Sequence, residues 1–419
     1  MKNNFILASV FLLGITVSAQ TKEVLMVPNQ NLITENILPI PKSISEGFKK
    51  YSESRSAVLS AVHPVDNSII ISTRFASVNQ LHKLAHPLGA RKQITFFDEP
   101  VSSASFEPTK GHYLIYSKDI GGNEFGQLFK LDLKTMTSTM LTDGGRSQNG
   151  GVRRLADGSG FYYSSTKRNG GDRDIYFMNP DKPQNSKMIL QVKGGGWGLT
   201  DVSDDNKNLI VQEYISANES HLYLYDLESQ KLSNITDRNQ KSVVQSAAKF
   251  SKNKDVIYFL TDRDNEFIRL ATMDLKSKKI DYITSAIKWN VENFTLSKDK
   301  SKIAFVTNEE GINQLYILDT NNNNYSKVPG LENGLISSAE FAGDNKRLFF
   351  SKSSDDSSLD VYDFNLNSKK ITRWTESELG EMQKEDMSSQ TSFRGRVLII
   401  RKSPDSTIRL LKNLQVNVL

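Results

Sequence analysis

The chain has 419 residues, 37% of them hydrophobic and 24% charged, with no cysteine and a formal net charge of +5. That length accommodates one large domain or two to three ordinary ones, and the missing cysteines exclude disulfides, thiolate catalysis and Cys-based metal sites. The positive balance does not describe a nucleic-acid binder. Residues 388–419 carry Arg394, Arg396, Arg401, Lys402, Arg409 and Lys412 against Asp405 alone, which accounts for all of it and leaves a neutral body with no basic stripe to track phosphates.

The chain opens on Lys2, an apolar run from Phe5 to Val17, and small residues at Val17-Ser18-Ala19. This order is that of a secretory signal peptide, residues 1–19, with a mature chain from Gln20 in the periplasm or outside the cell. No later run approaches the roughly 20 apolar residues of a membrane helix. Residues 20–55 form an extension. Within it Ile44, Phe48 and Tyr51 recur at i, i+4 and i+7, one apolar face of a short helix over Pro41–Tyr51 that is expected to pack on the body.

From residue 56 to 387 one unit repeats: an alternating strand, a polar turn, a β-branched and aromatic strand, a second turn, a strand closing near Asp, then a strand ending in Leu-Thr or Ile-Thr. The residues closing the third strand are Ala85, Asp132, Asn179, Asp226, Asp274, Asp319 and Asp363, spaced by 47, 47, 47, 48, 45 and 44. Four short strands in about 40–50 residues make a propeller blade. Segments such as I-I-I-S-T, Y-L-I-Y-S and I-A-F-V-T are strands by composition. The expectation is all-β: a seven-bladed β-propeller that closes by pairing its first and last blades, preceded by the short helix and followed by an irregular tail.

The acidic residues are expected to shape the turn between the third and fourth strands, with a ring of calcium ligands as the sharper alternative. Trp197, Trp289 and Trp374 stand at blade boundaries, where packing between blades is expected. For Trp197, inside G-G-G-W-G, a sugar-stacking platform is the alternative.

Several turns are more specific than a propeller requires. T-R-F-A-S-V-N-Q-L-H-K-L-A-H-P-L-G-A-R-K-Q-I-T-F-F at Thr73–Phe97 with D-E-P after it, S-K-D-I-G-G-N-E at Ser117–Glu124, T-D-R-D-N-E-F at Thr261–Phe267, F-V-T-N-E-E-G at Phe305–Gly311 and T-R-W-T-E-S-E at Thr372–Glu378 resemble the propeller of secreted bacterial serine peptidases of the prolyl oligopeptidase family. The resemblance covers roughly residues 40–387; blades three and four match only a looser TolB-like outline. It implies a propeller that limits access to short peptides, followed by an α/β-hydrolase domain with a Ser-Asp-His triad.

That chemistry needs a G-x-S-x-G nucleophile elbow and an oxyanion hole, and neither is in the sequence. Gly145-Arg146-Ser147 and Gly158-Ser159-Gly160 lack the flanking pattern, and His63, His82, His86, His112 and His221 are expected at surface or packing positions. Glu309-Glu310 is similar to the paired glutamates with which some relatives hold a peptide amino terminus, but it falls in a strand-to-strand turn and that role is not carried over. No catalytic, cofactor-binding or metal-binding residue is assigned, and no cofactor is implied. The functional expectation is the substrate-gating propeller of a secreted serine peptidase, without its catalytic domain and inactive alone, whose partners are short peptides or a hydrolase domain. A stand-alone TolB-like propeller binding a peptide, a glycan or an envelope protein is the alternative.

Residues 388–419 follow neither the blade pattern nor the family, whose members continue into K-S-F-D-G. Back-translated with the frame shifted by one base, the chain from Arg394 can read W-K-S-F-D-N-K-E-I-S-G-F-Y-Y-Q-A-P, close to the family's entry into its hydrolase domain. The expectation is a frame slip near Ser388–Thr391, which leaves the tail out of frame and unstructured. Resequencing the locus checks it: the other frame should encode H-G-G-P and G-x-S-x-G downstream, and their absence would make the basic tail genuine.

Overall fold

The computed structural model describes residues 23–27, 33–101 and 103–380; the expected signal peptide and the basic tail lie outside them. Its contacts divide the chain into a unit up to Glu53 and a unit from Ser54 onward. In the first, helix α1 (Lys42–Ser52) follows a bridge between Leu25 and Pro41. Ile44, Phe48 and Tyr51 are all exposed. The packing expected of that face is not found within this unit.

The second unit contains seven four-stranded antiparallel sheets, each a simple meander in chain order. They are blades 1 (Val58–Gln93), 2 (Ser103–Met140), 3 (Asn149–Leu190), 4 (Trp197–Asn234), 5 (Gln245–Tyr282), 6 (Val291–Lys327) and 7 (Leu335–Arg373). First strands pack against the first strands of neighbouring blades and are therefore innermost. Second strands are covered on both faces by adjacent blades, so Ile69–Thr73 and Phe161–Ser165 are buried at every position. Burial on both faces is why these strands read as continuous apolar runs instead of alternating ones.

Seven apolar clusters fill the seven seams between blades. The seam that closes the ring joins Leu59, Ile69 and Ile71 of blade 1 to Phe349, Val361 and Trp374 on the blade 7 side. No strand is exchanged there, since blade 1 takes all four strands from the start of the ring and blade 7 all four from its end. Backbone bonds from Ala57 N to Leu359 O (2.7 Å), Leu88 N to Trp374 O (2.9 Å) and Arg55 N to Glu378 O (2.8 Å) fasten it instead.

The turn between third and fourth strands behaves as the sequence suggests, with one shift of register. The side-chain oxygens of Asp132, Asn179, Asp226, Asp274 and Asp319 each accept a backbone N–H two or three residues on, at 2.7–3.0 Å, the Asx-turn geometry. In blade 7 that position is Asn365, which accepts from Asn367 N and Ser368 N, both at 3.0 Å. Asp363 lies inside the third strand, 1% exposed, and accepts the indole N–H of Trp374 at 2.6 Å. Its expected role as a turn former is corrected on that ground. The turn Asn308–Gly311 tightens to a two-residue hairpin, Glu310 and Gly311, at φ of 57° and 88°. Positive φ at both central residues suits the twist of the flanking strands.

The recurring Leu-Thr or Ile-Thr has a structural reason. The apolar residue enters a seam, and the threonine hydroxyl accepts a third-strand N–H: Leu81 to Thr95 (2.8 Å), Leu128 to Thr142 (3.0 Å), Leu222 to Thr236 (2.9 Å), Leu270 to Thr284 (3.0 Å) and Val361 to Thr375 (2.9 Å). Water does not reach these groups; Leu270 and Thr284 are 0% and 1% exposed. Replacing Thr284 by the near-isosteric valine leaves the Leu270 N–H buried and unpaired, and is expected to lower stability by about 1–3 kcal/mol in denaturant unfolding. An unchanged midpoint would refute this account of the motif.

Candidate functional site

Consecutive strands are antiparallel, so the turns alternate between two faces of the ring. One face carries the turns after first and third strands. The other, the connection face, carries the turns after second strands and the links between blades. A cavity of about 570 Å³ opens among the innermost strands and is lined by Arg153, Thr200, Ala247, Lys249 and Phe294, with Arg173, Trp197 and Tyr214 toward the connection face.

The strands place these side chains through bulges. One extra residue precedes Arg153, Asp201 and Lys249 in the first strands of blades 3, 4 and 5. Gly151 and Ala247 take φ of 64° and 53° there. A bulge re-aims the side chain that follows it. Two residues before the turn that ends the first strand, the seven blades carry Ala61, Ser105, Arg153, Asp201, Lys249, Thr295 and Glu340. Four of the seven are charged, three of them in adjacent blades.

Each charge has a different degree of compensation. Arg153 donates from Nε to Thr200 O (2.9 Å) and from Nη1 to Val152 O (3.0 Å). Asp201 accepts Phe250 N at 2.8 Å, tying blade 4 to blade 5. Lys249 has no hydrogen bond and no ion pair among the described residues. Burial pushes its ammonium pKa down, Asp201 opposes, and the charges of Arg153 and Lys300 push the same way as burial. Glu340, on the innermost strand of blade 7, is densely enclosed though it keeps some solvent contact. Burial raises its carboxyl to about 8, against a backbone hydrogen bond from Val62 that favours the charged form.

The mouth depends on glycine. A Cβ at Gly196 would sit 2.2 Å from Tyr214 O, so no other residue fits without moving that backbone. Trp197 is 8% exposed, packs on Tyr223 at 4.9 Å in the seam between blades 3 and 4, and donates from Nε1 to Lys193 O at 3.0 Å. Trp374 fills the closing seam, as expected of a boundary tryptophan. Trp289 does not follow suit: it is 37% exposed in the link between blades 5 and 6.

The serines weighed as nucleophiles are not on an elbow. Ser147 lies in the link between blades 2 and 3 with its hydroxyl on Asp143, and Ser159 in a strand-to-strand turn bonded to Asp157. His63, His82 and His221 are buried, and His82 holds Gln80 O at 3.0 Å. His112 faces Glu107 at 3.2 Å, and His86 is exposed in a loop of blade 1. Glu309 is engaged within its own blade by Thr307 (2.9 Å), Tyr316 (2.7 Å) and Lys327 (2.8 Å), while Glu310 is exposed in the hairpin. The pair therefore does not converge on a common ligand. What motif reasoning missed is the charged set on the innermost strands. Its only signal was a charged residue where each repeat otherwise keeps a small or apolar one.

The architecture defines a seven-bladed propeller around a charged channel. Residues 101–377 match the family description "Prolyl oligopeptidase, N-terminal beta-propeller domain". The chain belongs to that family. Among solved structures it is similar to a prolyl endopeptidase, with 13% identity, 88% of this chain and 55% of that one covered, and a TM-score of 0.67. It is equally similar to prolyl oligopeptidase B from Galerina marginata, at 12%, 88%, 56% and 0.67. TolB from Acinetobacter baumannii aligns over 66% of this chain and 63% of its own at a TM-score of 0.44. No curated protein sequence matches. The chain spans just over half the length of the prolyl peptidases it resembles.

Glu340 gives the site a measurable pH dependence. Its ordinary value is 4.5 and its folded value about 8. Below about 4.5 the group is protonated folded or unfolded and changes nothing. Between the two values the unfolded chain loses the proton first, so stability falls as pH rises and levels off above about 8. Comparing melting temperatures of the wild type and Glu340→Gln from pH 5 to 9 isolates this contribution. The variant is expected to gain on the wild type steadily up to pH 8; a constant difference would show that the carboxyl titrates normally.

Proposed function

We propose that this ring is the substrate-gating propeller of a serine peptidase of the prolyl oligopeptidase family that acts on short peptides, and that it is exported to the periplasm or the cell exterior. The observation that carries the reading is the asymmetry of its two faces. Phe75 and Ile120 on turns after second strands, Tyr214 and Ile215 at the end of the second strand of blade 4, Phe96 and Trp289 on the links and Leu335 at the start of blade 7 supply exposed apolar surface on the connection face. Opposite them, among the described residues, stand scattered residues such as Val65 and Met136. The ring begins and ends on the connection face too: Arg55 and Glu378 pair there at 2.6 Å, so the chain enters and leaves beside the apolar surface. An extended apolar face of this kind marks an interaction surface, and a hydrolase domain joined at this point is placed to cover it.

In this reading the ring contributes access control and the hydrolase domain contributes the nucleophile. Peptide-bond hydrolysis needs an activated serine and a preorganised oxyanion hole, and among the described residues no serine stands on a strand-to-helix elbow. The purified full chain is therefore expected to show no turnover of short chromogenic prolyl peptides. Activity that follows the chain through purification would overturn the reading. The apolar face supplies a second check by light scattering: the wild-type chain is expected to self-associate, and the triple replacement Phe96→Ser, Ile215→Ser, Leu335→Ser to be monodisperse. A monodisperse wild type would favour a stand-alone binding propeller.

A further inference from the structure

The cavity among blades 3, 4, 5 and 6 is unbalanced in charge. Arg153, Arg173 and Lys249 line it, and no Asp or Glu does. Asp201 is outside the lining; it accepts the Phe250 N–H, and its single charge offsets only part of those of Arg153 and Lys249. Glu340, on the innermost strand of blade 7, is held largely protonated at neutral pH, and Glu292, on that of blade 6, lies outside the lining and accepts from Asn313 Nδ2 at 3.1 Å. The cations are also under-used. Arg173 donates from Nη2 to Gln148 Oε1 at 2.8 Å, while its Nε is buried with no acceptor. The Lys249 ammonium has no partner among the described residues, and Arg153 meets only backbone carbonyls. A buried donor without an acceptor and a desolvated cation without a counter-ion are both costly, and an incoming anion relieves both.

The remaining walls narrow the class of anion. Trp197, Tyr214 and Phe294 supply aromatic surface, and at Gly198 a Cβ would meet nothing within 4 Å, so the wall is open to close approach of a ligand there. Flat guanidinium forks match a carboxylate, and aromatic faces beside an open stretch of wall suit an extended peptide segment.

We propose that this cavity binds a carboxylate of a peptide inside the propeller channel, with Arg153, Arg173 and Lys249 as its donors. The inference deepens the gating role proposed above and rests on it for the choice of a peptide. It makes the channel selective for acidic peptides or for peptides with a free C-terminus, the two sources of the group.

Calorimetric titration of the purified full chain tests it with four forms of one peptide, acetyl-Gly-Ala-Pro-Ala-Asp-Gly-Ala: with free or amidated C-terminus, each with Asp or Asn. Binding is expected for forms that carry a carboxylate and to weaken at least tenfold when both are removed. The amidated Asp form and the free-acid Asn form distinguish the two sources. Lys249→Met and Arg173→Gln are each expected to weaken the carboxylate-bearing forms at least tenfold. Lys249→Met, which replaces a desolvated charge by an apolar chain of similar length, is expected to unfold no earlier than the wild type, so lost binding is not lost folding. Equal binding of all four forms, wild-type affinity in both variants, or displacement of the peptide by equimolar inorganic phosphate would each overturn the proposal. None of these outcomes bears on the gating reading, which is tested by hydrolysis and self-association of the chain.

Discussion

A propeller blade is a wedge whose faces are both buried, so its weakest point is the polar backbone at its buried end. Here the problem is met by a belt of side chains at the start of each third strand: Gln80, Gln127, Asp174, Ser220, Arg269, Asn313 and Asp360, all 7% exposed or less. Six of them bond the link that follows their own blade or the start of the strand it leads into. Gln80 holds Phe97 O and Glu99 O, each at 2.9 Å, and Gln127 holds Ser147 O at 3.0 Å. Asp174 accepts Val192 N (2.9 Å), Ser220 accepts Gln245 N (2.9 Å), Asn313 accepts Ile336 N (2.7 Å) and Asp360 accepts Ser377 N (3.2 Å). With the threonine hydroxyls one strand further on, this belt satisfies groups that neither ladder nor water reaches. Buried backbone groups are nearly always paired, so the apolar seams can form only where the belt is complete.

The same constraint explains how the ring closes without exchanging a strand. At the last seam Asp360 gathers Thr375 and Ser377 and pairs with Arg373 at 2.7 Å, which fixes the segment leaving blade 7. Trp374 is thereby held against Phe349 at 5.1 Å and bonded to Asp363. From that segment Trp374 O accepts Leu88 N and Glu376 O accepts Arg91 Nη2 at 2.9 Å, both from blade 1. Closure is thus a polar clasp laid over an apolar cluster, built from the residues after the final strand.

Much of this was legible in the chain because a blade repeats its chemistry. Strand type follows from β-branched runs, blade number from a period near 47, and turns from Asx residues, all of them local signals. The failures lie where the partner belongs to another strand or another blade. Asp363 follows a strand-like run and so reads as the last turn residue, yet its partner Trp374 lies beyond the neighbouring strand, and Asn365 fills the turn at 46 residues from Asp319. Trp289 has the spacing of a boundary tryptophan but finds no seam. The channel charges were invisible for the same reason: Arg153, Asp201 and Lys249 are 48 residues apart and become neighbours only when the ring is formed.

That juxtaposition also bears on why the charges persist at all. An isolated cation in the wall of an apolar ring would be selected against on stability alone, because its desolvation is not returned by the interactions around it. Asp201 faces two such cations, and it is already bonded to Phe250 N; Lys300, the next cation along, is taken up by Asp204 at 2.8 Å. The compensation therefore stops short of neutrality in one arc of the channel. The rest of the inner ring is small or uncharged at Ala61, Ser105 and Thr295 and holds Glu340 protonated. A closed, seam-packed scaffold tolerates such a local deficit because seven apolar clusters carry its stability. What the deficit supplies is a desolvated positive field on one side of the passage, and a field of that kind discriminates by charge anything that enters it.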